Sequence, residues 1–469
     1  MDRPAIRTLG ELKQSGYRAR SVREEIRLNL LRKLRAGEPL FPGIHGYEDT
    51  VIPAIENALL CGQDLLFLGE RGQAKRRLIR SLVGLLDEWL PELAGSEIHD
   101  DPFAPVSQFG KILVAERGAA TPIHWVHRDD RFGEKLATPD VSTADLIGDV
   151  DPMKVVQGRS LGDELTMHFG LLPRTNRGIF CINELPDLAE RIQVGLLNIM
   201  EERDVQIRGY RIRLPLDVFV VASANPEDYT SRGRIVTPLK DRYAAQIRTH
   251  YPRTRELELR VVEQEAQLAT VEGVTLFVPD FMKQILAELT FQARASADVS
   301  HASGVSVRMS ISNYETLVAN ALRRALRHAD GQAVPRISDL RALRASTRGK
   351  IEFEYAASQR NEDEILEELW KRAVKLVFDG VAGDLGKYKP IVDAFNKGWR
   401  VEITDMTPAR EFVDGMDKIE GLRAAALELS GGDTAPRIAA AIELILEGLH
   451  LSNKLNKTLS EHGAVYGQK

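Results

Sequence analysis

The stretch that most constrains how this chain can fold is residues 64–77, DLLFLGERGQAKRR. An apolar run, Leu65–Leu68, stops at Gly69, and a helix-like pattern resumes near Lys75. Apolar strand, glycine loop, lysine and helix in that order make the layout of a phosphate-binding P-loop. Glycines let backbone N–H groups turn inward around a phosphate. The helix start adds partial positive charge, and a lysine reaches the outer phosphates. Gly69, Gly72 and Lys75 occupy the required positions. Two others do not: Ala74 stands where the full pattern has glycine, and Arg76 where it has the Ser or Thr whose hydroxyl ligates Mg²⁺. The competing reading is a strand–turn–helix whose lysine only caps the turn.

The chain has 469 residues, a length that suits roughly two to four domains. Its 43% hydrophobic content is enough for real cores. A net charge of −5 gives no whole-molecule field favouring nucleic acid or an anionic membrane. No apolar run approaches a membrane span, and the first residues lack the apolar centre of a secretory signal, so a cytoplasmic protein is expected. Cys61 and Cys181 both adjoin apolar strand candidates and read as small core residues rather than a disulfide, metal or redox pair.

In chain order, residues 20–36 read as an amphipathic helix with Ile26, Leu30, Leu31 and Leu34 on one face. Thr50 is placed to cap the next helix, which feeds the P-loop strand. Residues 78–90 continue as helix up to Pro91. His124 and His127 invite a metal reading, but a strand at 123–126 would put them on opposite faces, and no metal site is expected. Residues 178–185, GIFCINEL, form a second buried strand that delivers Asn183 and Glu184 at its carboxyl end, where open α/β sheets place ligands. An acid at the tip of such a strand suits metal holding and water activation; the residue before it, usually aspartate, is neutral here. A helix over 188–202 and a hairpin-like segment carrying Arg208, Arg211 and Arg213 follow. A third buried strand then ends in Asn225, and LKDRYAAQI presents Asp241 and Arg242 after a turn at Pro238. Residues 255–268 and a block over 279–347 read as helical, with Arg308 at a helix start. Near the end, a helix carries Ile365, Leu369, Leu376 and Val377 on its apolar side, and another spans 438–455.

Over residues 40–343 the chain resembles the AAA+ ATPases of the MoxR and magnesium chelatase ATPase-subunit group. GERGQAKR is similar to Walker A, GIFCINEL to Walker B, VVASANPED to the sensor-1 strand, LKDR to the arginine-finger segment and GVSVRMS to sensor 2. Arg208, Arg211 and Arg213 would lie in the hairpin before sensor 1, and residues 142–177 resemble the insertion ahead of Walker B. The resemblance implies an α/β fold, a P-loop AAA+ parallel sheet flanked by helices. A helical lid domain and a helical C-terminal extension would follow. The expected boundaries are 1–39 for an N-terminal helical segment, 40–252 for the nucleotide-binding domain, 253–348 for the lid and 349–469 for the accessory region.

It further implies ATP in a cradle of Gly69, Glu70, Arg71, Gly72, Gln73, Ala74, Lys75 and Arg76, with Arg308 from the lid. Glu184 and Asn225 would handle the attacking water, and Arg242 would reach a neighbouring subunit's γ-phosphate. Partners implied are copies of the chain in a hexameric ring and a protein with a von Willebrand A domain. ATP hydrolysis would drive remodelling or metal loading of that partner. The direct Mg²⁺ ligands are altered, and Arg76 is expected to substitute in part for the ion. Two alternatives stay open. One is a degenerate scaffold that binds nucleotide without turnover, for which Arg76 and Asn183 speak. The other is an AAA+ transcriptional regulator, against which stands the lack of a helix-turn-helix with a basic face.

Overall fold

A computed structural model describes residues 3–151, 153, 164–202, 204–205, 214–225, 233–300, 304–353, 361–459 and 463–468. Arg208, Arg211 and Arg213, and part of the insertion at 142–177, lie outside the described residues. Contacts divide the chain into two units, Met1–His250 and Tyr251–Lys469. Among the described residues no helix is long and apolar enough to cross a membrane.

The first unit is built on five parallel strands: β1 (Leu65–Leu68), β2 (Phe132–Leu136), β3 (Gly178–Asn183), β4 (Val218–Ala224) and β5 (Ala245–Arg248). Their spatial order is β5-β1-β4-β3-β2. Strands buried on both faces read as continuous apolar runs, which is why LLFL, GIFCIN and VFVVASA show no polar alternation. Successive side chains still point to opposite faces. Leu65, Phe67, Ile179, Cys181 and Val221 pack with residues of α1 (Val22–Ala36), α2 (Val51–Leu60) and α3 (Lys75–Ser81). Leu66, Phe180, Ile182 and Ala222 pack instead with α4 (Glu190–Glu202) and α5 (Thr237–Arg242). The sheet is therefore covered on both sides.

Several local expectations change. The helix after the glycine loop ends at Ser81, passes through a 3₁₀ turn at Leu82–Leu85, and gives way to a strand, Trp89–Leu93. Pro91 thus sits inside a two-stranded antiparallel pair with Ile123–His127, an edge position where a missing N–H is tolerated. The buried face of α1 is not the all-apolar one: Leu34 is exposed, whereas Glu25 and Asn29 are buried with Ile26 and Leu30. Glu25 accepts two hydrogen bonds from the fully buried Arg131, at 2.8 and 2.6 Å. Thr50 makes no cap; its hydroxyl meets His250 Nε2 at 2.9 Å. Cys61 is exposed and Cys181 buried, both unbridged. His124 pairs with Glu92 and His127 with Asp129. Asp241 and Arg242 lie within α5 rather than after a turn, and the residues that follow form β5.

The second unit is mostly helical: α6 (Arg255–Glu265), α7 (Asp280–Ala295), α8 (Val307–Arg327), α9 (Glu362–Ala382) and α10 (Ala435–Leu451) are its longest helices. One core runs from Val262 through Leu286, Leu317, Leu369 and Ile442 to Tyr466. On α9 Leu376 is exposed, and Trp370, Ala373 and Val374 supply the buried stripe with Ile365, Leu369 and Val377. The C-terminal region is not helical alone. Val401–Ile403, Asn456–Leu459 and Ala464–Gly467 form a three-stranded antiparallel sheet.

Candidate functional site

The strand order fixes where a ligand can enter. From β1 the chain crosses to β2 at the far edge, and from β4 it crosses to β5 on the other side of β1. Connections that leave two adjacent strands in opposite directions open a crevice at their carboxyl ends. The loop after β1 begins at Gly69, whose N–H donates to Ala224 O at 3.2 Å, and Asn225 directly follows β4. The two motifs thus flank this switch point.

Three features shape the loop. Gly69 is required by close approach: a Cβ there would lie 1.9 Å from Thr249 Oγ1 and 2.3 Å from Gln73 Oε1. Gly72 has φ +77 and Ala74 φ +56, so the loop turns through the left-handed region twice, once without glycine. Gln73 Oε1 accepts from Glu70 N–H at 3.0 Å and from the Thr249 hydroxyl at 2.7 Å. The Tyr47 hydroxyl lies 2.9 Å from Gln73 O and 2.8 Å from His250 O, and shares its single proton between them. Burial pushes the Tyr47 phenol up to about 12, partly offset by the hydrogen bond to the His250 carbonyl. Arg71 is exposed at the loop tip.

Lys75 opens α3 and is buried, with its ammonium donating to the carbonyls of Gly69 and, at 3.0 Å, Glu70. Asn225 is buried, and its Oδ1 has no hydrogen-bond partner among the described residues. Ser223 ties β4 to the tip of β3: its hydroxyl donates to Asn183 Oδ1 at 3.3 Å and accepts from Glu184 N–H at 3.2 Å. Glu184 itself adopts φ 55, ψ 50, a left-handed conformation that ends the strand and opens the turn Leu185–Asp187.

Arg76 does not stand alone. Its Nε lies 2.7 Å from Glu134 Oε1 on β2, Asn183 Nδ2 donates to the same oxygen at 2.5 Å, and Arg80 pairs with Glu134 Oε2. Burial opposes ionisation of Glu134, but the hydrogen bonds and charges of Arg76 and Arg80 outweigh it and hold the carboxyl below its usual range. Sequence reasoning missed Glu134, Arg80, Gln73's structural role, Thr249 and Tyr47. Only Arg80 had a signal, since a residue four after Arg76 shares its helix face.

These residues do not fit a Mg²⁺ ion in the usual P-loop manner. The hydroxyl position carries a cation, the carboxylate position an amide, and the nearby carboxylate is engaged by two guanidiniums. Among the described residues no group of three or more His, Cys, Asp or Glu is placed to hold a metal.

Arg242 stands at the end of α5, where it ion-pairs with Glu201 of α4 and donates to Pro238 O at 2.8 Å. Arg308 belongs to the second unit; it lies one residue into α8, its N–H donating to the Ser306 hydroxyl at 3.1 Å, with an exposed side chain.

No protein-family model matches the chain. Among curated proteins it is similar to magnesium-chelatase subunit ChlI-1 of Arabidopsis thaliana, 27% identical over 212 residues, covering 43% of this chain and 46% of the relative. It is likewise similar to ChlI of Chlorella vulgaris, 27% identical over 242 residues, covering 50% of this chain and 64% of the relative. The chain thus spans about half the length of the first of these relatives and less than two thirds of the second. Among solved structures, a magnesium chelatase BchI–BchD complex aligns with 70% of this chain and 98% of its own, at 20% identity and a TM-score of 0.35. In its sheet order, the motifs at its carboxyl edge and its curated relatives, the chain is similar to the AAA+ proteins of the magnesium-chelatase subunit I group.

Proposed function

We propose that the first unit binds ATP at the carboxyl edge of its sheet and hydrolyses it. The observation that carries this reading is Lys75: a buried ammonium folded onto two carbonyls of a glycine loop at the switch point. Phosphate oxygens are stronger acceptors for an ammonium than neutral carbonyls, so a triphosphate draws Lys75 out of that resting contact. The loop N–H groups cradle the β- and γ-phosphates. Glu184, at the tip of β3, orients the attacking water and takes its proton. The Asn225 oxygen, unpartnered among the described residues, accepts the second hydrogen bond of that water. ATP and water thereby become ADP and phosphate, and no step runs through a metal ion.

Arg242 completes the site of an adjacent copy. In the single chain it is held by Glu201, and ring assembly exchanges that carboxylate for a γ-phosphate. Arg308 serves as the lid's phosphate sensor. A ring of this kind, hexameric in order, transmits turnover to a partner protein with a von Willebrand A domain, remodelling it or loading it with metal. A second reading, nucleotide held without turnover, is favoured by one observation: Arg76 and Asn183 are both engaged by Glu134.

Titration with a fluorescent ATP analogue and a phosphate-release assay test this. Lys75→Ala should weaken affinity at least about tenfold. Glu184→Gln should bind but not turn over, and mixing it with Arg242→Ala should regenerate some activity. Unchanged binding by Lys75→Ala removes the P-loop reading. Wild-type binding with no phosphate release, alone or with candidate partners, leaves the scaffold reading.

A further inference from the structure

The departures at the two positions that ordinarily hold the metal ion meet on one atom. Arg76, at the hydroxyl position, and Asn183, at the carboxylate position, both bond Glu134 Oε1, at 2.7 and 2.5 Å. Arg80, one turn further along α3, takes the other oxygen. The carboxylate absent from the end of β3 is thus supplied by the neighbouring strand, where Glu134 stands opposite Cys181. It faces guanidiniums rather than offering open lone pairs. The charges are informative. Two guanidiniums and one carboxylate sum to one positive charge, the same local sum as a dication beside a single carboxylate.

The geometry also leaves the cations available. The side chain of Arg76 is 69% exposed and that of Arg80 58%, whereas Glu134 is 13% exposed. A guanidinium carries five donors in a planar fork, so each arginine can keep Glu134 on one edge and offer another to phosphate oxygens. Glu134 itself is anchored from behind by the Asn183 amide, whose oxygen is tied in turn to Ser223.

We propose that Arg76 and Arg80, positioned by Glu134, stand in for the divalent cation, so that the site takes metal-free nucleoside triphosphate. This rests on the P-loop reading above and deepens it. Arg76 and Arg80 are the phosphate-contacting groups; Glu134 is a positioning residue.

The test compares the affinity of the full chain for a fluorescent ATP analogue in excess EDTA and in Mg²⁺. The wild type should give dissociation constants within about threefold of each other. Arg76→Thr with Asn183→Asp, which rebuilds the usual ligand pair, should bind at least about tenfold more weakly in EDTA than in Mg²⁺. Arg76→Ala removes only an exposed side chain and covers the case in which the double variant does not fold. It should lose at least about tenfold affinity in EDTA. A wild type that binds in Mg²⁺ but loses tenfold or more in EDTA overturns the inference while the P-loop reading stands, and so does an Arg76→Ala variant with unchanged affinity in EDTA. Absence of binding in both buffers, or Lys75→Ala binding like wild type, overturns the P-loop reading and the inference with it.

Discussion

Replacing Gly69 with alanine tests the loop architecture most directly. The new Cβ would meet Thr249 Oγ1 at 1.9 Å and Gln73 Oε1 at 2.3 Å, both far inside van der Waals contact. Thr249 cannot swing aside cheaply, because a β-branched side chain is stiff at χ1 and this one is buried at the end of β5. Moving Gln73 breaks its bonds to Glu70 N–H and to the Thr249 hydroxyl. Two lost hydrogen bonds at about 1 kcal/mol each, plus about 1–3 kcal/mol of overpacking, come to about 4 kcal/mol. For a unit of this size that corresponds to a fall of roughly 8–16 °C in its melting temperature. Differential scanning calorimetry reads the shift. Thr249→Ala in the same chain removes the closest clashing atom, so the double variant should melt above Gly69→Ala alone, a coupling that a double-mutant cycle isolates. A Gly69→Ala protein melting within about 2 °C of wild type would show that the loop does not pack as described.

Three further outcomes follow from named contacts. Ala74→Gly should stabilise the first unit by about 0.5–1 kcal/mol, since relief of a left-handed alanine at φ +56 outweighs the added freedom of the unfolded chain; a loss of stability by denaturant titration refutes this. Glu25→Ala should destabilise by about 3–5 kcal/mol because it leaves Arg131 charged and buried, whereas Glu25→Leu with Arg131→Met should recover most of that; equal losses in the two proteins would refute the account. The carboxyl of Glu134 is depressed, so its contribution is complete at neutral pH and is lost as pH falls through its folded-state value, below the ordinary carboxylate range. Wild type should therefore lose more stability on acidification than Glu134→Gln, and parallel melting curves against pH would count against the cluster.

The sequence by itself determined the elements whose signal is local. LLFL, GIFCIN and VFVVASA are apolar runs of strand length, so the placement of Gly69, Lys75, Glu184 and Asn225 after their carboxyl ends was legible in order. Glycine at a required turn and a lysine at a helix start are written in neighbouring positions. The tertiary structure alone decided what lies between strands. Glu134 is forty-nine residues from Asn183, and nothing in FGEKL says that β2 pairs with β3 in the register that brings the two together. The Arg131–Glu25 pair spans 106 residues and hides two charges in a core that periodicity reads as apolar. Thr249 and Tyr47, far apart in sequence, both reach the loop. Burial and pairing of polar groups depend on which surfaces meet, and that is set by sheet order, a property of the whole chain and not of any segment of it.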